Sequence, residues 1–567
     1  MQLKNRLLPH ITFKYWRGDL FGGLTAAIVA LPLALAFGVS SGAGAIAGLY
    51  GAVCTGFFAA LFGGTPSQIS GPTGPMTVVM ATIFTAVASS DDPAAGLAIA
   101  FTIVMLGGLF QILMGFLQLG KYITLIPYTV ISGFMSGIGI IIILLQLAPF
   151  LGHKGAADVV KAVTTMPYWI THPDPLATGL GIITLVIVFA APARLNRIIP
   201  SPLLALIICT LISLAFPSEG LARIGEIPKG LPEIHLPVLN FLQLKDIVSY
   251  SVILATLGAI DSLLTSLVAD NITRTQHDSD QELIGQGIGN IISGFCGGLP
   301  GAGATMRTVI NVRSGGVTSL SGMIHAVVLL IVVFWAAPLT APIPHAVLAG
   351  ILIKVGIDII DWGFLKRAHR ISLKAAALMY GVLFLTVFVD LITAVAVGVF
   401  ISNMLAMKGL TDLQIENLES VTSAEDTTYL SPREKELLRR AEGSIFLFHL
   451  SGPMSFGAAR GIAQRMGIIE QYEVLILDLF EVPYMGVTAA LAVETMVREA
   501  HAQGREIFLV GAPEQVQKRL AAFEILKFLQ PQNRVTNRLE ALEQAIAFIE
   551  EHQNHPSISQ ATPSLRE

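Results

Sequence analysis

Long apolar stretches, separated by short polar loops, follow one another from about residue 18 to about residue 407. A transmembrane helix needs roughly 20 consecutive apolar residues, and most of these stretches approach that length. Two further segments, 67–87 and 302–316, are rich in Gly, Pro and Thr and are poor continuous helices. The pattern predicts about fourteen membrane spans. The clearest twelve are 20–39, 45–62, 98–117, 126–148, 176–191, 202–216, 248–268, 283–299, 322–337, 347–360, 375–389 and 391–407.

The two interrupted segments occupy the third and tenth span positions, so each is third in its half of seven. Interruptions at matching positions indicate an inverted repeat with a central binding site between its halves. Because each half has an odd number of spans, the two halves run in opposite directions. The predicted fold class is an α-helical polytopic membrane protein with a 7+7 inverted repeat.

The composition changes after the last span. Only 13% of all residues are charged, against roughly 25% in soluble proteins, yet charges become frequent near residue 431. Strands are predicted at 445–450, 474–479 and 506–510, and amphipathic helices at 456–467, 489–503, 513–523 and 539–551. The predicted domains are a membrane domain (1–408), a linker (409–440), a soluble α/β domain (441–552) and a disordered tail (553–567).

Charge and motifs exclude several classes of function. The net charge is −4, and no basic patch alternates with aromatic residues, so nucleic-acid binding is not expected. The chain has no P-loop, nucleophile elbow or metalloprotease motif, so neither an ATP-driven pump nor an enzyme is predicted. Positive charges in short loops place both termini inside the cell. The predicted inner set is Lys121, Arg194, Arg197, Arg274, Lys366, Arg367, Arg370 and Lys374.

Each interrupted segment predicts a half-helix that begins inside the membrane. The first reads GPTGPMTVV from Gly71, so a helix is expected from about Pro72, where proline suits a helix start. The second is expected from about Ala304. Two helix N-termini that face each other form a partly positive gap that favours an anion, and the hydroxyls of Thr73 and Thr305 add donors. A pair of Gly-kinked packing helices is the alternative.

An acid lies within the apolar span 248–268. Asp261 is costly there and is therefore a candidate functional residue, with Thr265 on the same helical face. These oxygens suit sodium. The alternatives are that Asp261 carries a proton or that it pairs with Arg307. Arg307 in turn either supplies positive charge to the substrate or neutralises Asp261.

With these residues, the chain resembles the SulP (sulfate permease) anion transporters with a C-terminal STAS domain, and especially the cyanobacterial sodium-dependent bicarbonate branch. The resemblance covers nearly the whole chain. The matching segments are 18–44, GPTGPMTVV (71–79), 120–152, 260–290, GAGAT (301–305) and 355–369.

The resemblance implies a core domain (spans 1–4 and 8–11) that moves like an elevator against a gate domain (spans 5–7 and 12–14). It implies a dimer held partly by STAS domains, in the inner membrane of the cell. Sodium is the implied coupling ion, and no other cofactor is expected. The anion site is predicted at Thr73, Gly74, Ala304, Thr305 and Arg307. The sodium site is predicted at Asp261, Thr265, Gly303 and Thr305.

Two positions depart from the bicarbonate branch, which usually has an acid at Gly71 and a small residue at Arg307. Sulfate or another anion, driven by protons or by exchange, is therefore the alternative to sodium-coupled bicarbonate uptake. An anion channel and a membrane-anchored sensor are more distant readings. Regulatory relatives of the STAS domain have a phosphorylatable serine after the strand that ends near Asp478. This chain has Tyr484 and Met485 near that position, so no phosphorylation switch is expected there.

Overall fold

The computed structural model describes residues 13–88, 93–123, 126–156, 158–192, 195, 199–216, 220–225, 232–238, 243–335, 337–389, 391–416, 418–421, 430–466 and 472–554. The chain divides into two compact units, Met1–Ile401 and Ser402–Glu567, which are described separately. Arg194 and Arg197, which contribute to the predicted orientation, lie outside the described residues. So does most of the predicted disordered tail.

The twelve predicted continuous spans all correspond to helices, with ends shifted by at most five residues except at the last, whose helix continues nine residues further, to Glu416. Among the described residues, six helices are long and apolar enough to cross a membrane, and a bent pair, Val159–Thr171 with Pro175–Ala190, adds a seventh candidate. The count of fourteen stays a prediction. The helices of this part are α1 (Trp16–Ser40), α2 (Ala45–Phe62), α3 (Gly74–Ala88), α4 (Pro93–Phe116), α5 (Gly120–Ile123), α6 (Tyr128–Phe150), α7 (Val159–Thr171), α8 (Pro175–Ala190), α9 (Ser201–Ala215), α10 (Leu244–Thr273), α11 (Ser279–Phe295), α12 (Thr305–Arg313), α13 (Ser319–Trp335), α14 (Ala337–Thr340), α15 (His345–Ile359), α16 (Trp362–Ile371), α17 (Leu373–Phe388) and α18 (Leu391–Glu416).

The helices sort into two packing groups. Helices α1, α2 and α4 pack on α10, α11 and α13, which follow much later in the chain. Helix α6 packs on α15 and α17, and α8 packs on α9 and α15. The first group contains six of the eight spans of the predicted core, and the second contains five of the six spans of the predicted gate. Each group therefore combines segments from both halves of the sequence.

Small residues let the helices of the first group approach closely. A Cβ atom at Gly108 of α4 would lie 2.5 Å from the carbonyl oxygen of Gly287 in α11, and the reverse distance is also 2.5 Å. Side chains at these positions would push the two backbones apart. In a membrane, where lipid is as apolar as leucine, such close backbone packing is a main source of helix association.

Both interrupted segments are broken in the structure. Strand β1 (Ser70–Gly71) pairs antiparallel with β2 (Ala302–Gly303), with Ser70 opposite Gly303. Helix α3 follows β1 and helix α12 follows β2, so the half-helices start at Gly74 and Thr305, one or two residues later than predicted. The fold therefore brings two segments that are more than 200 residues apart into one junction.

The second unit is built on a five-stranded sheet in the order β3-β4-β5-β6-β7. Strand β3 is antiparallel to β4, and the other pairs are parallel. The predicted linker contributes β3 and also α19, whose Leu437 and Leu438 are buried. The elements are β3 (Leu418–Val421), α19 (Pro432–Arg440), β4 (Ile445–Ser451), α20 (Phe456–Met466), β5 (Val474–Glu481), α21 (Val487–Ala502), β6 (Glu506–Val510), α22 (Glu514–Ala522), β7 (Arg534–Val535) and α23 (Arg538–Asn554).

Candidate functional site

The two half-helices begin side by side at the β1–β2 junction. Thr73 and Ala304 accept the first helical hydrogen bonds, from the N–H groups of Thr77 (3.0 Å) and Thr308 (2.8 Å). The N–H of Ala304 donates to the carbonyl of Ile69 at 2.8 Å, which fixes the second helix start against the first segment. The first-turn N–H groups of a helix lack partners within the helix and carry a partial positive charge. The junction therefore suits a negatively charged solute.

Three buried polar atoms at this junction have no hydrogen-bond partner among the described residues: Thr73 Oγ1, Asp261 Oδ2 and Arg307 Nη1. The hydroxyl of Thr73 lies beside the carboxylate of Asp261, and the charge of Arg307 acts on the same carboxylate. Buried polar groups are nearly always paired in folded proteins, so a cluster of unpaired ones needs an explanation. A bound ion or substrate would provide the missing partners.

Asp261 and Arg307 do not neutralise each other by direct contact. Arg307 Nη2 instead donates to the carbonyl oxygen of Pro72, just ahead of the first half-helix. The alternative of a structural salt bridge between Asp261 and Arg307 is therefore not formed within the described residues. Arg307 is buried and connects the two half-helix starts.

Arg307 occupies the space that a side chain at position 71 would need. A Cβ atom built on Gly71 would lie 2.8 Å from Arg307 Nη1, and Gly71 has a φ of +152°, which favours glycine. The two departures from the bicarbonate branch are thus neighbours in space. A side chain at position 71 would therefore require the end of the Arg307 side chain to move.

An oxygen-rich cluster lies next to Asp261. Thr265 Oγ1 donates to the carbonyl of Gly303 at 3.0 Å and lies 2.7 Å from Thr305 Oγ1. The N–H of Gly303 donates to Ser262 Oγ at 3.0 Å, which anchors β2 to α10. The carboxylate of Asp261, the hydroxyls of Thr265 and Thr305 and the carbonyl of Gly303 offer one charged group and three neutral oxygens, which are the ligands that hard cations prefer.

Gly74 faces the predicted gate. A Cβ atom at Gly74 would lie 2.8 Å from Ile142 Cδ1 and 3.0 Å from Ile359 Cδ1, on helices α6 and α15. The start of the first half-helix therefore meets two apolar side chains of the second packing group. With this contact, the structure brings all the predicted site residues to one region around the junction.

A second buried acid was not predicted. Glu282 is 1% exposed and accepts four hydrogen bonds, from the N–H groups of Gly64 and Thr65 (both 2.9 Å) and from the side chains of Gln68 and Gln286 (both 2.7 Å). This network holds the residues that lead into β1.

Asn290 plays the same part for the second segment. Its Oδ1 accepts from the N–H of Gly301 at 2.7 Å, and its Nδ2 donates to the carbonyl of Gly301 at 3.0 Å. Glu282, Gln286 and Asn290 follow one another at intervals of four, so they share one face of α11. That polar stripe along a predicted apolar span is the sequence signal that could have revealed the network.

His325 is a buried histidine on α13. A buried histidine usually has a hydrogen-bond partner, but both ring nitrogens of His325 lack one among the described residues. Its Nδ1 would lie 3.3 Å from a Cβ at Gly56, in helix α2 beside β1, and it experiences the charge of Arg307. His325 therefore belongs to the surroundings of the junction.

In the second unit, Asp478 lies in the buried part of β5. Its Oδ2 accepts from His449 Nδ1 at 2.9 Å and from Arg538 Nε at 2.8 Å. Burial alone raises the pKa of Asp478, but the hydrogen bonds and positive charge of these partners outweigh it, so its pKa is lowered. Met485 is buried and Tyr484 is 44% exposed. The absence of a phosphorylation switch at this loop stays a prediction.

A family model described as the sulfate permease family matches residues 16–382, which include the whole junction. The chain is a member of the sulfate permease family. A STAS domain model matches residues 437–540. This sulfate permease is accordingly a helical membrane transporter with a STAS domain and not an enzyme, which confirms the predicted family and the predicted class of α-helical membrane protein; the 7+7 repeat stays a prediction.

Two relatives of this sulfate permease resemble it over nearly their full length. The bicarbonate transporter BicA of Picosynechococcus sp. is 52% identical over 97% of this chain and 98% of its own. BicA of Synechocystis sp. is 50% identical over 99% of both chains. A putative sulfate transporter of Bacillus subtilis, YvdB, is 29% identical over 88% of this chain and 92% of its own.

Solved structures give the same picture of the fold. The transmembrane domain of a cyanobacterial BicA is 56% identical, covers 68% of this chain and 98% of its own, and has a TM-score of 0.64. SLC26A9 is only 20% identical but covers 98% of this chain and 94% of its own, with a TM-score of 0.81. This second likeness concerns the fold alone.

Proposed function

We propose that this protein is a secondary transporter that takes up bicarbonate together with sodium. The observation that carries the proposal is the set of unpaired buried atoms at the half-helix junction: Thr73 Oγ1, Asp261 Oδ2 and Arg307 Nη1. A transport site must hold its cargo in part of the cycle and release it in another. Polar groups that have no fixed protein partner are suited to that alternation.

The anion is proposed to bind between the N-termini of α3 and α12. Backbone N–H groups from Gly74 onward and from Thr305 onward supply donors and partial positive charge. Thr73 supplies a hydroxyl, and the free Nη1 of Arg307 supplies a charged donor. Ala304 leaves room close to the backbone because its side chain is small.

Sodium is proposed to bind beside the anion as a second cargo. Asp261 supplies the negative charge, Thr265 and Thr305 supply hydroxyl oxygens, and Gly303 supplies a carbonyl oxygen. The cation would bring positive charge to the site, which favours the anion, so each cargo promotes binding of the other. This reciprocity is the physical basis of the proposed coupling.

The choice of bicarbonate rests on the two relatives named as bicarbonate transporters, which match almost the entire chain at 50% and 52% identity.

One feature favours sulfate as a second candidate. The buried guanidinium of Arg307 adds a fixed positive charge near the junction, which favours a divalent anion and weakens the attraction of Asp261 for a cation.

The wider mechanism follows from the position of the site. The junction belongs to the predicted core, while Ile142 and Ile359 of the predicted gate cover Gly74. We propose that the core moves as a body against this apolar surface, as in an elevator. We further propose a homodimer partly through the STAS domain, location in the inner membrane of the cell, and cytoplasmic termini.

The proposal is tested with purified protein in liposomes that receive labelled bicarbonate or labelled sulfate, with and without an inward sodium gradient. Assays at alkaline pH keep the label as bicarbonate rather than membrane-permeant CO2. Uptake of bicarbonate that depends on sodium is expected. Sulfate uptake that ignores sodium would instead support the second candidate, and currents that do not saturate would indicate a channel.

A further inference from the structure

A long apolar groove lies on the first unit. It has a volume of about 870 Å³ and runs along α10 from Leu244 to Ile260, with part of α18 as its other wall. Helix α10 belongs to the predicted core and α18 to the predicted gate. The lining residues are Leu244, Lys245, Val248, Ser249, Val252, Ile253, Thr256, Leu257 and Ile260 of α10, and Leu391, Val395, Ala396 and Val399 of α18.

The chemistry of the groove excludes the transported anion as its occupant. Ten of the thirteen lining residues are apolar, the exceptions being Lys245, Ser249 and Thr256. Thr256 already donates its hydroxyl to the carbonyl of Val252 within α10. An ion in such a groove would lose its hydration without gaining ligands, which costs several kcal/mol.

The groove has one charged end. Lys245 stands at the start of α10 and has no ion-pair partner among the described residues, while no carboxylate lines the groove. The distance from residue 244 to residue 260 along a helix is about 24 Å. The hydrocarbon layer of one leaflet is roughly 15 Å thick, so the groove is long enough to hold a lipid acyl chain. A basic residue at the mouth of an apolar channel of this length matches a molecule with a negatively charged head and a long hydrocarbon tail.

We propose that this groove binds an anionic phospholipid, with an acyl chain between α10 and α18 and the headgroup near Lys245. The groove ends at Ile260, next to Asp261 in the sequence, so the lipid lies against the helix that carries the transport carboxylate. If the core slides against the gate, the wall of the groove moves with it. The acyl chain would then fill the space between the core and the gate as that space changes shape. This consequence rests on the proposed function.

Lipid binding is tested without any transport assay. The full-length protein is reconstituted in phosphatidylcholine vesicles that contain a photoactivatable phosphatidylglycerol with a diazirine in its acyl chain, and labelled peptides are mapped by mass spectrometry. Labelling is expected on 244–260 and 391–399. Label spread over other exposed helices, with these two segments no stronger than the rest, would overturn the proposal.

Two variants sharpen the test, each with a matched control. Ala396→Trp fills the groove and is expected to lower labelling at least fivefold. Ala377→Trp changes an exposed alanine of α17 outside the groove and should leave labelling unchanged. Lys245→Gln should lower the preference for the phosphatidylglycerol probe over a phosphatidylcholine probe by about fivefold, whereas Lys374→Gln, at another exposed lysine, should not.

The outcomes separate the possible occupants. Equal labelling of Ala396→Trp and the wild type would overturn the proposal, provided that both elute as monodisperse protein in size-exclusion chromatography. Cross-links from a photoreactive residue at position 252 to a second copy of the chain, in place of lipid, would assign the groove to a protein interface and would also overturn it. If labelling follows the proposal while bicarbonate uptake is absent, the lipid site stands and the proposed function fails.

Discussion

Two buried acids, Asp261 on α10 and Glu282 on α11, lie in opposite chemical situations. Glu282 accepts four hydrogen bonds from the chain leading into β1. Asp261 has an oxygen without any hydrogen-bond partner among the described residues, near Thr73 Oγ1 and Arg307 Nη1, which also lack partners there. The first carboxylate is satisfied by the protein itself, and the second is available to a solute.

Within one region of the fold, Glu282 therefore stabilises the structure, whereas Asp261 is available to bind a solute. A satisfied buried carboxylate stabilises one arrangement of the backbone, and removing its charge leaves several donors without an acceptor. An unsatisfied carboxylate destabilises the protein until a ligand binds, and its loss should cost binding rather than folding. The predictions below test whether the two acids can be told apart in this way.

The largest effect is expected for Asp261→Asn. The asparagine keeps the size of the side chain but removes the negative charge that attracts sodium, so sodium-driven uptake should fall on the order of 100- to 1,000-fold. Uptake is measured in liposomes, and folding is checked by the thermal unfolding midpoint of the solubilised protein. The midpoint should stay level or rise, because an unpaired buried charge is removed.

Asp246→Asn is the matched control, since Asp246 is an exposed acid in the first turn of the same helix. It should transport like the wild type. Wild-type uptake in Asp261→Asn would remove the carboxylate from the mechanism and leave the sodium site without its charged ligand.

Glu282→Gln should have the opposite profile. A glutamine has one carbonyl oxygen and an NH2 group that cannot accept, so donors among Gly64, Thr65, Gln68 and Gln286 lose their acceptor. The expected cost is about 2–5 kcal/mol of folding stability. It should appear as a lower unfolding midpoint and lower yield, with sodium dependence retained in the protein that remains folded.

The comparison fails if the two acids behave alike. A Glu282→Gln protein of wild-type stability that has lost only its sodium dependence would place Glu282 in the transport site. The charge of the network would then matter for cargo and not for the position of β1.

The contrast also separates what the sequence predicts from what it does not. The apolar runs place the helices within a few residues, because a bilayer leaves few alternatives to a continuous helix. The Gly and Pro residues around Pro72 and Pro300 reveal the two breaks, and Asp261 stands out because its neighbours are apolar. Glu282 does not stand out, because it lies at the edge of its apolar run.

Contacts between distant segments were beyond sequence reasoning. Arg307 was identified as a charge without a settled partner, and its hydrogen bond to Pro72 depends on how two segments 235 residues apart approach each other. The shared volume of Gly71 and Arg307 depends on the same approach. A single sequence gives the types of residue at a junction, whereas the pairing of β1 with β2 decides which of them touch.

A substitution at Gly71, whose side chain would compete with Arg307 for space, is expected to have an intermediate effect on uptake and stability. Gly71→Ala places a Cβ 2.8 Å from Arg307 Nη1 and at a φ that alanine rarely adopts, so Arg307 should move from Pro72. A loss of about 1–3 kcal/mol in folding stability is expected, with reduced uptake. Arg307→Ala in the same chain should relieve the steric part of this loss.

A double-mutant cycle measures the coupling. The two substitutions together should cost at least about 1 kcal/mol less than the sum of their separate costs. Strict additivity would mean that the two positions do not share space. Gly74→Ala is a useful comparison, because its Cβ would meet Ile142 and Ile359 instead, and Arg307→Ala should not rescue it.

The smallest effect on transport is expected in the second unit, where Asp478 resembles Glu282 in being fully engaged. The pKa of Asp478 is lowered in the folded protein, so the unfolded chain binds the proton more readily and stability rises with pH. This contribution should be complete at neutral pH and lost as the pH falls below about 4.

Asp478→Asn should lower the protection of β5 against hydrogen exchange by about 1–2 kcal/mol at neutral pH and flatten the acid dependence of that protection, while uptake stays within about twofold of the wild type. Glu473→Gln, at an exposed acid directly before the same strand, should change neither. An acid dependence that survives in Asp478→Asn would assign it to another group, and the likeness to Glu282 would then not hold.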